Sequence, residues 1–161
     1  MMVAAMVAQA FVTHDLHEII HTGLSVIPAE SRLAQAVRYT LQLDLVHQPW
    51  ESTLDALYAK LGHYHWVHTI NNAALVVAAL MYGQGDYQRS ITAAVMGGWD
   101  TDCNGATVGS IVGLMNGSVP ATWTAPLQNR LRTSLKGFDH STFDGLAQRT
   151  LGVVAPHYIQ P

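Results

Sequence analysis

The chain has 161 residues, a formal charge of −3 and one cysteine, with 49% of its residues hydrophobic and only 12% charged. That length suits one domain with a sizeable core, and the weak acidity leaves no basic footprint for nucleic acid. A lone thiol excludes an internal disulfide and fits a reducing, cytoplasmic setting.

Met1 to Val12 is apolar like a signal sequence, but it lacks a basic start and a convincing cleavage site. It is too short to span a bilayer, and Gln9 interrupts it. It reads as a buried helix, Val3 to Val12, that opens in mid-core, so the chain is expected to be a piece of a larger domain. A second helix is predicted over Asp15 to Val26, with Asp15 and Glu18 at the spacing of a capping pair. His14, His17 and His21 share the stripe of that helix. A metal site from histidines alone is one reading of them; polar positions at a helix edge is the simpler one.

Pro28 stops this helix, and Glu30 to His47 follows as a long amphipathic segment, with Leu33, Val37, Leu41 and Leu45 at near-helical spacing. Pro49 precedes another helix, Ser52 to Leu61. No stretch shows the alternation of a strand, so the class is all-α, a compact multi-helix bundle read as one domain over residues 1–161. A ring-rich loop, Gly62 to His68, carries His63, His65 and His68, without the cysteines or carboxylates a zinc site would need at matching spacing.

Asn72 to Met81 is an almost unbroken apolar helix whose alanines permit close packing. Asn72 at its start is either a cap or a group serving a site. Gly83 and Gly85 end that helix, and Asp86 caps the next, which runs to Met96. A small-residue helix from Asn104 to Met115 closes at Asn116-Gly117. Further helices are predicted over Leu127 to Leu135 and over Ser141 to Leu151, with Ser141 as cap, and the tail from Pro156 is expected to be loosely held.

Between the last two core helices lies Gly97-Gly98-Trp99-Asp100-Thr101-Asp102-Cys103-Asn104. Two aspartates one residue apart behind a glycine break can gather oxygens for a hard cation; an ordinary helix cap is the alternative. The run resembles the metal motif of the ADP-ribosylglycohydrolase family, Gly-Gly-Asp-Thr-Asp-Thr followed by an Ala/Gly-rich helix. Here a Trp is inserted and Cys103 stands where the family has Thr. His65 to Ala74 is similar to the segment that opens the preceding family helix, and Glu18 to Pro28 to a helix-to-proline step in bacterial members.

The resemblance implies the C-terminal half of an all-α fold. It also implies two Mg²⁺ or Mn²⁺ ions, one ligand set coming from this turn and the other from a Thr-Asp-Asp turn, and an ADP-ribose substrate whose anomeric bond is cleaved by water. Carried over by position, Asp100, Asp102 and Cys103 are the metal residues. Asn72, Trp99 and His68 are the candidate substrate-binding residues; the resemblance puts His65 and His68 near the active-site rim, where they either meet a ribose or base or orient the loop. No catalytic base is identified, because no Thr-Asp-Asp run occurs in the chain. A thiol would favour zinc or copper over magnesium; Asn104 could supply oxygen instead, or Cys103 could be inert core packing. Trp99 is either a nucleotide-stacking ring or a core aromatic.

Two functions are therefore expected. One is an ADP-ribosylglycohydrolase of which this chain alone is inactive. The other is a non-catalytic helical module that binds ADP-ribose or a protein. An exposed half-core would also drive self-association.

Overall fold

A computed structural model describes residues 1–158, with side-chain surroundings through Val154. All regular structure among them is helical. The chain gathers into two compact units, Met1–Ser118 and Val119–Pro161.

The first unit is built around one helix. It comprises α1 (Met2–Ala10), α2 (Leu16–Ser25), α3 (Arg32–Leu41), α4 (Trp50–Leu61), α5 (Thr69–Gly83), α6 (Tyr87–Met96) and α7 (Thr101–Met115). Helix α5 packs against α2, α3, α4, α6 and α7, while α1 lies on α2 and α7. Its sequence explains this position, because it is apolar on every side: Ala74, Leu75, Val77, Ala78, Ala79 and Leu80 are all fully buried. A helix without a polar face is stable only when surrounded. It starts three residues earlier than the apolar run suggests, because the His68 ring accepts from the Ile70 amide and caps it.

Small residues let the neighbouring helices come close. A Cβ on Gly105 would lie 3.0 Å from Val95 Cγ2, and one on Gly109 would lie 3.0 Å from Ile91 Cδ1. The glycine face of α7 thus receives α6 directly. At the α5–α6 turn, Gly83 sits so close that a Cβ there would run into Ser90 Oγ and stand 2.7 Å from Ser90 Cα.

Several boundaries differ from the sequence expectation. Asp15 caps α2, its carboxylate accepting from His17 N and Glu18 N, but the Glu18 carboxylate turns to Gln9 and Thr13 instead of closing a reciprocal box. His14 precedes α2, so the expected histidine stripe does not form on that helix. Helix α3 begins behind a Ser31 cap and ends at Leu41, not His47. There, i to i−3 bonds from Gln42 and Leu43 tighten the chain, and a turn still carries Leu45 into the core at 4% exposure. Pro49 serves as the cap position of α4, which starts at Trp50.

The second unit contains a single-turn α8 (Ala121–Thr124), a 3-10 turn (Ala125–Leu127) and α9 (Phe143–Tyr158). The helix predicted over Leu127 to Leu135 is absent. Gln128 and Asn129 take left-handed dihedrals (φ 49 and 54), and polar groups then capture the backbone. Asn129 bonds both the carboxylate and the amide of Asp144, and Asp139 accepts from Arg132 and from Thr133 N. A nine-residue helix with no face to bury loses that competition. The cap of α9 is Thr142, whose Oγ1 accepts from Gly145 N at 3.0 Å, in place of Ser141. The expectation of a loose tail from Pro156 falls on residues whose side chains lie outside the described ones.

Gly152 in α9 has open space where a Cβ would go. Gly152→Ala should therefore stabilise this unit by roughly 0.5–1 kcal/mol, read by chemical denaturation followed at the helical circular-dichroism band.

Candidate metal centre

The turn between α6 and α7 is assembled from both sides. Helix α6 ends at Met96, and the carbonyl of its cap residue Gly97 accepts from Tyr58 Oη of α4 at 2.9 Å. Gly98 (φ 78) and Trp99 (φ 53) then take successive left-handed conformations that reverse the chain. Glycine does this freely, and it is required at Gly98 for a second reason, since a Cβ there would stand 2.5 Å from Tyr58 Oη. For Trp99 the same region costs about 1–2 kcal/mol. Its ring offsets this by stacking on Tyr58, with centroids 4.5 Å apart and planes at 26°.

Asp100 follows at the cap position of α7, yet its side chain makes no capping bond. The carboxylate is left for other work. Asp102 sits in the first turn of α7, where the helix dipole favours negative charge. One ligand atom from each of Asp100, Asp102 and Cys103 lies within 4.8 Å of the others. Among the described residues this is the one group of three or more acidic, histidine or cysteine side chains close enough to share an ion. The histidines of the 62–68 loop and those near α2 do not form one.

Cys103 is exposed, so buried packing does not describe it. The Asp100 carboxylate, accepting from the thiol, pushes the Cys103 thiol above its ordinary range, with the charge of Asp102 adding to the effect. The thiol is therefore protonated at neutral pH in the metal-free chain. Asn104 turns the other way: it is 2% exposed, and its Nδ2 donates to Asn72 Oδ1 at 2.7 Å.

Asn72 is the residue whose arrangement the sequence did not disclose. It lies inside α5, not at its end, at 9% exposure. Its Oδ1 accepts from Asp100 N at 3.1 Å as well as from Asn104. Its Nδ2 donates to Trp66 O at 2.7 Å and to His68 O at 2.9 Å. The two carbonyls can only accept and the Asp100 amide can only donate, so the amide orientation is fixed by its partners. His68 stacks on Tyr64 at 4.6 Å. Its Nδ1 accepts from Ile70 N, which leaves Nε2 to carry the ring proton in the neutral form.

A family model for ADP-ribosylglycohydrolase matches residues 1–158, nearly the whole chain. The chain belongs to the ADP-ribosylglycohydrolase family. No curated protein and no solved structure gives a significant match. The all-helical architecture agrees with the family's fold, and no described helix is long and apolar enough to cross a membrane. ADP-ribosylglycohydrolases are generally metal-dependent hydrolases, and the carboxylate pair suits a hard divalent ion. The Cys103 thiol suits magnesium poorly.

Proposed function

We propose that this member of the family engages ADP-ribose linked to an acceptor and serves hydrolysis of the bond at the anomeric carbon. Asp100 and Asp102 would hold a divalent cation, Mg²⁺ or Mn²⁺. The observation that carries this reading is the Asp100–Asp102–Cys103 cluster, at the start of α7, inside a chain matched by the family model over residues 1–158. When bound, the cation would polarise a water and hold ribose hydroxyls. The chain's own residues do the positioning. Asn72 fixes the Asp100 backbone, Tyr58 fixes Gly97 and braces Trp99, and Trp99 and His68 border the ligand.

The 161 residues contain no Thr-Asp-Asp run, so they provide at most one ligand set of a two-ion site. That favours a second reading, a module that binds ADP-ribose without cleaving it. Calorimetry with Mg²⁺ and Mn²⁺, with and without ADP-ribose, joined to an assay for ADP-ribose release from a modified protein, separates the two. Release dependent on the cation supports the hydrolase, and ADP-ribose binding without release supports the module. Binding of neither ligand would sink both.

Cys103→Thr replaces a soft donor by a hard one. We expect Mg²⁺ to bind this variant severalfold more tightly relative to Cd²⁺, measured by competition between the two ions. An unchanged ratio would mean that the side chain at this position does not reach the ion.

The surface near the turn is apolar, with Trp66, Val67, Val95 and Met96 all exposed. We propose that such residues drive self-association, and a monodisperse monomer in sedimentation analysis would count against it.

A further inference from the structure

We propose that the groove between α4 and α6 is where a second copy of this chain docks, the Arg89 of each copy meeting the partner's Glu51. This rests on the self-association proposed above and assigns it a face; it is independent of the ADP-ribose reading.

The groove has a volume of about 720 Å³ and lies wholly within Met1–Ser118. Its walls are α4 and α6, and Tyr82 of α5 lies between them, with Trp50 tilted against that ring at 4.9 Å. Both walls run the same way. Trp50 and Arg89, near their starts, meet at Tyr82, and Tyr58 of α4 reaches Gly97 just beyond the end of α6. Met96, 65% exposed, lines the far end, and Val95 beside it is exposed too. An aromatic bed that opens onto an exposed methionine gains by being covered.

What covers it follows from two charges. Arg89 stands on the α6 wall with its guanidinium laid over the Tyr82 ring at 4.2 Å, which holds a long side chain in one place. Asp86 also lines the groove, but its carboxylate caps α6 by accepting from the Arg89 backbone amide. Glu51 stands exposed on the α4 wall. Among the described residues neither the Arg89 guanidinium nor the Glu51 carboxylate has an ion-pair partner.

An acidic partner would be repelled by Glu51, and a basic one by Arg89. The groove suits a surface that carries one charge of each sign in the reverse order, and this surface is itself such a surface. Two copies related by a two-fold axis present the same patch to each other, so every contact between two different residues occurs twice. Arg89 then meets the partner's Glu51 in both directions, and the exposed apolar side chains of α6 are covered in the same step.

The test is sedimentation velocity on the full chain and its charge variants over a range of concentrations. The unaltered chain should form a dimer. Arg89→Glu and Glu51→Arg should each weaken it about tenfold or more, because symmetry sets two like-charged pairs in every dimer. An equimolar mixture of these two variants should dimerise again, since both pairs across it are once more of opposite sign. The chain carrying both changes should do the same. Recovery in the mixture could not come from two misfolded chains. Single variants that dimerise as tightly as the unaltered chain would overturn this face and leave self-association standing. Loss without recovery in the mixture would also overturn the pairing. A monomeric unaltered chain would overturn the self-association itself and leave the groove to a different partner.

Discussion

Asp100→Asn combined with Asp102→Asn is expected to abolish divalent-cation binding while lowering the stability of the metal-free fold by no more than about 1 kcal/mol. Neither carboxylate bonds to the helix it stands on: Asp100 makes no capping bond, and Asp102, exposed in the first turn of α7, contributes only a small dipole interaction. The bonds that build the turn come from backbone groups and from Asn72 and Tyr58, which the double variant keeps. What disappears is ligand-linked stability. A cation present at a hundred times its dissociation constant raises the unfolding free energy by about 2.7 kcal/mol, so the melting shift on adding Mg²⁺ or Mn²⁺ should fall to zero. Thermal melts with and without the ions measure it. A residual shift would place the ion elsewhere on the chain. A fold lost without metal would make the carboxylates structural.

The largest loss of stability is expected from Gly83→Ala, a change that adds one carbon far from the turn. In a solvent-exposed helix this substitution stabilises. At Gly83 the new methyl would run into Ser90 Oγ and approach Ser90 Cα to 2.7 Å, with Ser90 held by its own hydroxyl on the Asp86 carbonyl. A backbone atom cannot rotate away, so α5 and α6 must part. A cost of roughly 3 kcal/mol follows, or about 10 °C in the midpoint of a unit this size. Adding Ser90→Gly to the same chain should recover only part of the loss, because the Cα remains. Full recovery would assign the clash to the hydroxyl alone.

The helices that line the core were legible because their signals are local. An apolar run of α5's length, a capping Asp15 or Asp86, and a Gly-Gly break ahead of two aspartates each act within a few residues. The helix expected over 127–135 failed for the opposite reason. Its fate turned on Asn129 meeting Asp144 and on Asp139 meeting Arg132, pairings set by the chain's path. The exposure of Cys103 was equally hidden, since a small thiol near a helix start gives no sign of which way it points. Asn72 was marked as a residue of interest from its place in sequence. That it bridges two loops through four hydrogen bonds could be seen only with Trp66 and Asp100 in position.

The burial of α5 on every side has a consequence in time as well as in space. Water reaches the backbone amides of a peripheral helix through small local openings, but no such opening uncovers a helix that five others enclose. The central amides of α5 can exchange their hydrogens for deuterium only when the whole Met1–Ser118 unit comes apart. Their exchange rate, at the limit of fast reclosing, is thus a direct gauge of that unit's global stability. The second unit, in which no described residue through Val154 is buried, should have labelled long before α5 begins.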